Sequence, residues 1–317
     1  MASSLIATLT LNPSLDELYT LDRLRPDDLN RAAGMVRYPG GKGINVSRVV
    51  HELGGRTLAC GLAGGRDGQW LQDALDAMGV ARRFTRIAGT TRNNLKILIR
   101  HPHQELQINT PGPRIAGDEW RALTRTLAAC RPHPAWWVCA GSVPPGVPAA
   151  IYRRLIAQAH REGIPCVLDA DGPALAAGLA ARPECIKPNR AEAERLLRRR
   201  LRTVADVGRA AWALTQRGIG TVIISLGRDG AVMAARGDRD VWMAQSPSVR
   251  VDSTVGAGDS LVAGVLTALV RGAPRAEAFR LGIACGAACA MTPGTELCHR
   301  GDVQRLLPRV RLRRIRL

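Results

Sequence analysis

The chain has 317 residues, 46% of them hydrophobic but only 3% aromatic, and a formal net charge of +18 at pH 7. That length and apolar fraction exclude a disordered or fibrous chain and suit one α/β domain or two smaller ones, with a core of Ala, Val, Leu and Ile. The uncharged apolar runs near 260–270 and 281–291 are too short to span a bilayer, and MASSLIATLTL lacks a basic n-region, so a cytoplasmic protein without a membrane segment is expected.

In chain order, residues 5–11 (LIATLTL) alternate and predict a first strand, and Gly43 to Leu53 predicts a helix after a Gly-Gly-Lys-Gly turn. Apolar runs at 57–62, 95–99, 135–139, 164–168, 184–187 and 220–225 read as further strands. Helix-like stretches lie between most of them, at 67–78, 118–129, 148–162, 190–198 and 204–217, and an Ala/Val/Leu-rich run at 261–270 predicts another helix. Alternating β and α units of this length imply a largely parallel sheet with helices on both faces. The segments at about 16–39 and 82–108 are polar, Arg-rich and short-stranded, and are expected to form a lid over the sheet edge. With no repeat, low-complexity segment or long linker, the expected organisation is one domain over 1–317 with that lid.

Open α/β sheets bind ligands at the carboxyl ends of their strands. The polar clusters fall there: Asn12 to Asp16, the turn Pro39 to Asn45, Gly141-Ser142, Asp169-Ala170-Asp171, Lys187-Pro188-Asn189 and Ser225-Leu226-Gly227. The most informative is Thr254-Val255-Gly256-Ala257-Gly258-Asp259, a turn opening a helix. Its glycines permit tight turning, and successive N–H groups at a helix start attract an anion. Asp259 would repel that anion, which becomes sensible if it is a base taking a proton from a hydroxyl that attacks phosphorus. The competing reading is an ordinary acidic first turn. Only three of the 45 basic residues are lysines, Lys42, Lys96 and Lys187, and two of them lie in these strand-end clusters. Lys offers a compact point charge that suits a phosphate site.

Other chemistries fit poorly. Gly40-Gly41-Lys42-Gly43 is not a P-loop, because residue 36 is Val and Gly43 replaces the magnesium-binding Ser/Thr. No Gly-x-Gly-x-x-Gly follows the first strand. The eight cysteines include no Cys-x-x-Cys pair and are expected to be buried free thiols. Cys285, Cys289, Cys298 and His299 match no zinc spacing, and His101-Pro102-His103 reads as an exposed lid loop. The positive charge raises a nucleic-acid partner. The arginines, however, are spread along the chain apart from the Arg305 to Arg316 cluster, and aromatic residues for base stacking are nearly absent.

Taken together, Pro39-Gly40-Gly41-Lys42-Gly43-Ile44-Asn45, Lys187-Pro188-Asn189 and Ser253 to Ser260 resemble the ribokinase-like carbohydrate kinases, the PfkB family, over about residues 7–308. The resemblance implies a three-layer αβα sandwich with a mostly parallel sheet and a small β-strand lid, ATP and Mg²⁺ as cofactors, and a homodimer through paired lids. Thr10-Leu11-Asn12-Pro13-x-x-Asp16 and Thr91-Arg92-Asn93-Asn94 are similar to the branch acting on phosphorylated ketohexoses. Gly294-Thr295-Glu296-Leu297-Cys298 is similar to the minor 6-phosphofructokinase isozyme. The implied reaction is ATP-dependent phosphorylation of a ketohexose phosphate, foremost fructose 6-phosphate to fructose 1,6-bisphosphate, with fructose 1-phosphate and tagatose 6-phosphate as alternatives. The alternative of another class is a nucleic-acid-binding protein on a retired kinase scaffold, against which the retained Asp259 and glycine turn speak.

The same resemblance implies roles. Asp259 would be the base, and the N–H groups of Gly256, Ala257 and Gly258 would hold charge on the transferring phosphoryl group. Asp16 and Asn45 would bond sugar hydroxyls in a pocket lined by Gly40, Gly41 and Lys42. Arg92 would grip the phosphate already on the sugar, with Arg31 doing the same, from a neighbouring subunit. Lys187 would touch nucleotide phosphates, Asn189 and Glu192 would position magnesium and phosphate, and Ser225, Gly227 and Gly230 would lie beside the nucleotide. Two departures stand out. Lys42 is common in the other ketohexose-phosphate kinases but not required in the isozyme that the tail resembles. The Asp that binds a monovalent cation six residues before the base in ribokinase relatives is here Ser253, with Asp252 displaced by one.

Overall fold

The computed structural model describes residues 4–238 and 240–315, so Arg316 of the basic tail lies outside the described residues. The N-terminal half runs β1 (Leu5–Thr10), β2 (Ser14–Leu21), β3 (Gly34–Gly40), α1 (Lys42–Glu52), β4 (Arg56–Ala63), α2 (Gly65–Ala77), β5 (Arg82–Arg86), β6 (Arg92–Ile99), β7 (Gln104–Asn109) and α3 (Gly117–Ala128). There follow β8 (Trp136–Ala140), α4 (Ile151–Arg161), β9 (Cys166–Asp169), α5 (Gly172–Leu179), β10 (Cys185–Ile186), α6 (Arg190–Leu197), α7 (Val204–Gln216) and β11 (Thr221–Ser225). The chain closes with β12 (Ala231–Ala235), β13 (Val241–Gln245), α8 (Ala257–Val270), α9 (Arg275–Cys289), α10 (Arg300–Leu306) and β14 (Arg311–Ile315).

The main sheet has ten strands in the order β14-β13-β12-β11-β10-β9-β8-β1-β4-β5. From β11 to β5 every pairing is parallel. Helices cover both faces, so the central strands must be apolar on both. Along β8 successive side chains divide between two cores: Trp137 and Cys139 join the one built with α3, α4 and α7, whereas Val138 and Ala140 join the one built with α1, α8 and α9. The architecture is the ribokinase-like three-layer sandwich, and all eight cysteines are free and buried.

A second sheet of four strands, β3-β2-β6-β7, forms the lid. One expectation needs correction. The second lid segment does not begin at 82: Arg82–Arg86 is β5, which pairs in parallel with β4 at the edge of the main sheet, and the lid resumes at Arg92 with β6. The sequence reading assigned no element to the last Arg-rich segment; it forms β14, which with β12 and β13 makes an antiparallel extension of the main sheet. Both edges of the ten-stranded sheet are thus arginine-rich, with Arg82, Arg83 and Arg86 on β5 and Arg311, Arg313 and Arg314 on β14. Charge on an edge strand opposes edge-to-edge pairing with another molecule, which accounts for part of the +18 without a polyanion.

Tyr152 ties a helix to the functional end of the sheet. It is fully buried in α4, and its hydroxyl sits 3.0 Å from the carbonyls of both Ala140 and Gly141, at the end of β8. Tyr152→Phe should lower stability by about 1–2 kcal/mol, the cost of leaving a buried acceptor unsatisfied. Chemical denaturation at constant m-value measures this, and an unchanged midpoint would exclude the role.

Candidate active site

A cleft of about 1330 Å³ lies between the carboxyl ends of the main sheet and the inner face of the lid. Its lining includes Asp16, Gly41, Lys42, Asn45, Arg92, Lys187, Asn189, Glu192, Ser225, Gly227, Gly230 and Gly256 to Asp259. Nearly every residue marked in the sequence therefore converges here, from segments as far apart as 16 and 259. Gly40 does not line the cleft but backs it, since a Cβ there would lie 2.6 Å from the Asp16 carboxyl. Arg31 is not brought in: it lies exposed in the loop between β2 and β3.

The centre is the start of α8. Gly256 caps the helix with a left-handed φ of 77°, and a Cβ there would also lie 2.4 Å from Leu297. At Gly258 a Cβ would lie 2.9 Å from Lys187 Nζ, so the lysine packs onto the turn. The Ala257 N–H makes only a long bond, 3.4 Å, to Thr254 O, which an anion can replace. One turn into the helix, Asp259 is buried, and Asn45 Nδ2 donates to its Oδ2 at 2.8 Å. Burial and the nearby negative charge of Asp169 push the Asp259 carboxyl up to about 6, against the opposing pull of Lys42, Asn45 and Lys187.

Asp169, at the end of β9, organises the lysines. Lys42 Nζ lies 3.0 Å from Oδ1 and Lys187 Nζ 3.3 Å from Oδ2. Burial alone would raise the Asp169 carboxyl, but the two lysines outweigh it and hold it below its ordinary value. In return Asp169 draws the Lys42 ammonium upward more strongly than burial depresses it.

On the lid side Asp16 is a buried hub. It accepts from Ser14 Oγ at 2.7 Å, Asn94 Nδ2 at 3.1 Å and Lys96 Nζ at 2.8 Å. Arg92 donates to Thr110 O at 2.8 Å and Asn12 O at 3.1 Å, while its Nε is buried without a partner; burial lowers its pKa. On the other side Asn189 and Glu192 cap α6 reciprocally: Asn189 Oδ1 accepts from Glu192 N, and Glu192 Oε2 from Asn189 N, each at 2.8 Å. Asn189 also bridges to Ser225, and Gly230 takes φ 99° where a Cβ would meet Ala244 O at 2.0 Å. Gly227, at φ 62°, faces open space. Ser253 donates to Glu105 Oε2 of the lid at 2.9 Å, and His103 Nε2 lies 3.2 Å from Asp252 O, so β7 reaches the loop before the glycine turn.

Asn12, Asn94, Lys96 and Asp169 are polar groups of this site to which the sequence reading gave no role. Lys96 stood out as one of three lysines, and Asp169 as a strand end, but their pairing with Asp16 and Lys42 spans 80 and 127 residues.

Residues 9–300 match the family described as pfkB family carbohydrate kinase. The ATP-dependent 6-phosphofructokinase isozyme 2 of Escherichia coli (strain K12) is 35% identical over 303 residues, 95% of this chain and 97% of that one. The 1-phosphofructokinase of Bacillus subtilis (strain 168) is 32% identical, covering 98% and 100%. The crystal structure of phosphofructokinase-2 from Escherichia coli in complex with substrates and products superposes with a TM-score of 0.91 at 34% identity, over 96% of this chain and 98% of that one. Matched along nearly its whole length, and with its motif residues gathered in one cleft, the chain belongs to the pfkB family of carbohydrate kinases, as a sugar kinase of the phosphofructokinase type that transfers a phosphoryl group to an alcohol.

Proposed function

We propose that this kinase phosphorylates a ketohexose phosphate with ATP, with fructose 6-phosphate as the leading substrate. The observation that carries the proposal is the buried Asp259 at the glycine turn, in one cleft with the Asp16 hub and Arg92. The sugar lies on the lid side, where Asp16 and Asn94 address hydroxyls and Arg92 addresses the existing phosphate with its remaining donors. Asn45 holds Asp259 in position, and the carboxylate takes the proton of the attacking hydroxyl. The 256–258 amides and Lys187 then offset the charge on the transferring phosphoryl group. Ser225, Gly227 and Gly230 leave room for the nucleotide. Among the described residues no group of three or more potential metal ligands occurs. Mg²⁺ commonly rests on one or two carboxylates, phosphate oxygens and water, a pattern the cleft suits through Glu192, whose Oε1 stays outside the capping box. That ion would neutralise phosphate charge. A second reading, fructose 1-phosphate as the substrate, draws support from Lys42, which stands in the cleft on Asp169.

Asp259→Asn keeps the shape and the Asn45 contact, and should lower kcat by about 10²–10⁴-fold, the span for a lost general base. The wild-type rate should fall as pH drops through about 6. Stability runs the other way. Because the folded-state pKa lies above the unfolded 3.8, the unfolded state ionises first, and stability declines between these values as pH rises. The Asn variant should therefore be more stable at pH 8, by at most about 3 kcal/mol, and equal to wild type at pH 3. A variant with wild-type kcat would overturn the mechanism.

Arg92→Ala should weaken phosphosugar binding by about 1.5–3 kcal/mol, as for a hydrogen bond to a charged group, and leave the KM for ATP unchanged. Assays on fructose 6-phosphate, fructose 1-phosphate, tagatose 6-phosphate and free fructose decide the substrate; free fructose turned over as well as its phosphates would exclude this role for Arg92.

The lid supports a homodimer. Strand register sets Met35, Tyr19, Leu95, Ile97, Leu106 and Ile108 on the face turned away from Asp16 and Lys96. Of these, Met35, Leu106 and Ile108 are 43%, 40% and 52% exposed, a patch that a second lid would cover. Arg31, exposed between β2 and β3 and outside the cleft lining, would act on substrate across such a dimer. The doubly substituted Leu106→Lys, Ile108→Lys chain should be monomeric by light scattering where wild type is dimeric; a fully active wild-type monomer would refute the pairing.

A further inference from the structure

A second cavity, of about 430 Å³, lies at the opposite end of the main sheet from the cleft. Its rim is set by the starts of the parallel strands, Trp136 on β8, Cys185 on β10 and Thr221 on β11. Val167 and Ile223 form the floor on the sheet, and Val262, Val265, Leu266 and Leu269 of α8 form the facing wall. A chain with 3% aromatic residues has few side chains large enough to fill such a gap. The volume falls within the range of about 300–1,000 Å³ found for small-molecule pockets, which are mostly apolar with a few polar groups at one end.

Here the polar end is the mouth, formed by Arg236, Arg275 and Glu184. Glu184 is already engaged, since its Oε2 meets His160 Nε2 at 2.9 Å and accepts from the Cys166 N–H at 2.7 Å. The arginines are held loosely. Arg236 makes a long bond to Gly218 O at 3.4 Å, and Arg275 meets the exposed Asp238 at 3.4 Å. Their remaining guanidinium donors match an anionic head group, while the aliphatic walls match an apolar body.

We infer that this cavity binds a medium-chain aliphatic carboxylate, with the chain between α8 and the sheet and the carboxylate on Arg236 and Arg275. The site also has a direct route to the chemistry. Val262 follows Asp259 by three residues on α8, about 4.5 Å along the axis. A ligand that wedges against Val262, Val265 and Leu266 therefore bears on the helix that positions the base. Occupancy alters turnover. The binding half of this inference is independent of the role proposed for Asp259; the coupling half rests on it.

Calorimetric titration of the full chain with octanoate, and with 1-octanol as the uncharged counterpart, tests the binding. One saturable site is expected, with octanoate preferred by about fivefold, a modest margin because the arginines are exposed and screened. Val265→Trp fills the cavity from the helix side and Thr221→Phe from the sheet side; each should weaken octanoate binding more than tenfold, and either one that melts cooperatively is sufficient. Arg236→Ala with Arg275→Ala should remove the preference over octanol. Absence of saturable binding, unchanged binding in a folded filling variant, or equal affinity for octanol in the wild type would overturn the site. Saturating octanoate should change kcat/KM in the wild type but not in a filling variant. Unchanged turnover beside saturable binding would overturn the coupling alone.

Discussion

Two carboxylates buried in one cleft set the terms for everything around them. Taking a carboxylate out of water is costly unless charge or hydrogen bonds compensate it. Asp169 and Asp259 meet that cost differently. Asp169 takes both nearby lysines, Lys42 and Lys187, and stays ionised. Asp259 has only one amide bond, from Asn45, to offset its burial and the negative charge of Asp169, so its pKa rises to about 6. One carboxylate becomes a fixed anchor for cations, and the other becomes a group able to accept and release a proton near neutral pH. The separation of roles follows from where the lysines point and needs no further residue.

The lid meets the same requirement on its own side of the cleft. Asp16 is buried, and three donors, Ser14, Asn94 and Lys96, satisfy it. Two of these come from β6, which runs parallel to β2 within the lid sheet. The hub therefore exists only when the lid sheet is formed, and lid folding and pocket formation are one event. Glu105 of β7 and His103 just before it add contacts to the loop that leads into the glycine turn, so the lid is tied to both sides of the cleft.

Basic charge in this protein has several uses. Part of it lies on the two edge strands, β5 and β14, where it keeps exposed backbone from pairing. Part lies at the mouth of the lower cavity. The lysines, by contrast, all stand in the active-site cleft, Lys42 and Lys187 on Asp169 and Lys96 on Asp16. A compact ammonium pairs with a buried carboxylate as a point charge, without the matching fork geometry that a guanidinium uses.

The sequence by itself determined the parallel α/β core, the glycine turn with Asp259, the lid and the strand-end clusters, because each is a local pattern: a period of two or 3.6, a left-handed glycine, a helix start. It also carried the family, through motifs that read in order along the chain. Only the tertiary structure decided that Asp169 divides two lysines, that Asn45 serves Asp259 and that Lys96 closes on Asp16, since Lys42, Lys96 and Asn45 lie 127, 80 and 214 residues from their partners and no periodicity encodes such pairs. The same holds for β5, which local composition grouped with the lid and pairing assigned to the main sheet, and for β12 to β14, whose short strands become legible only once an edge exists for them to extend. Local chemistry chooses the elements; burial and long-range pairing choose which charges meet.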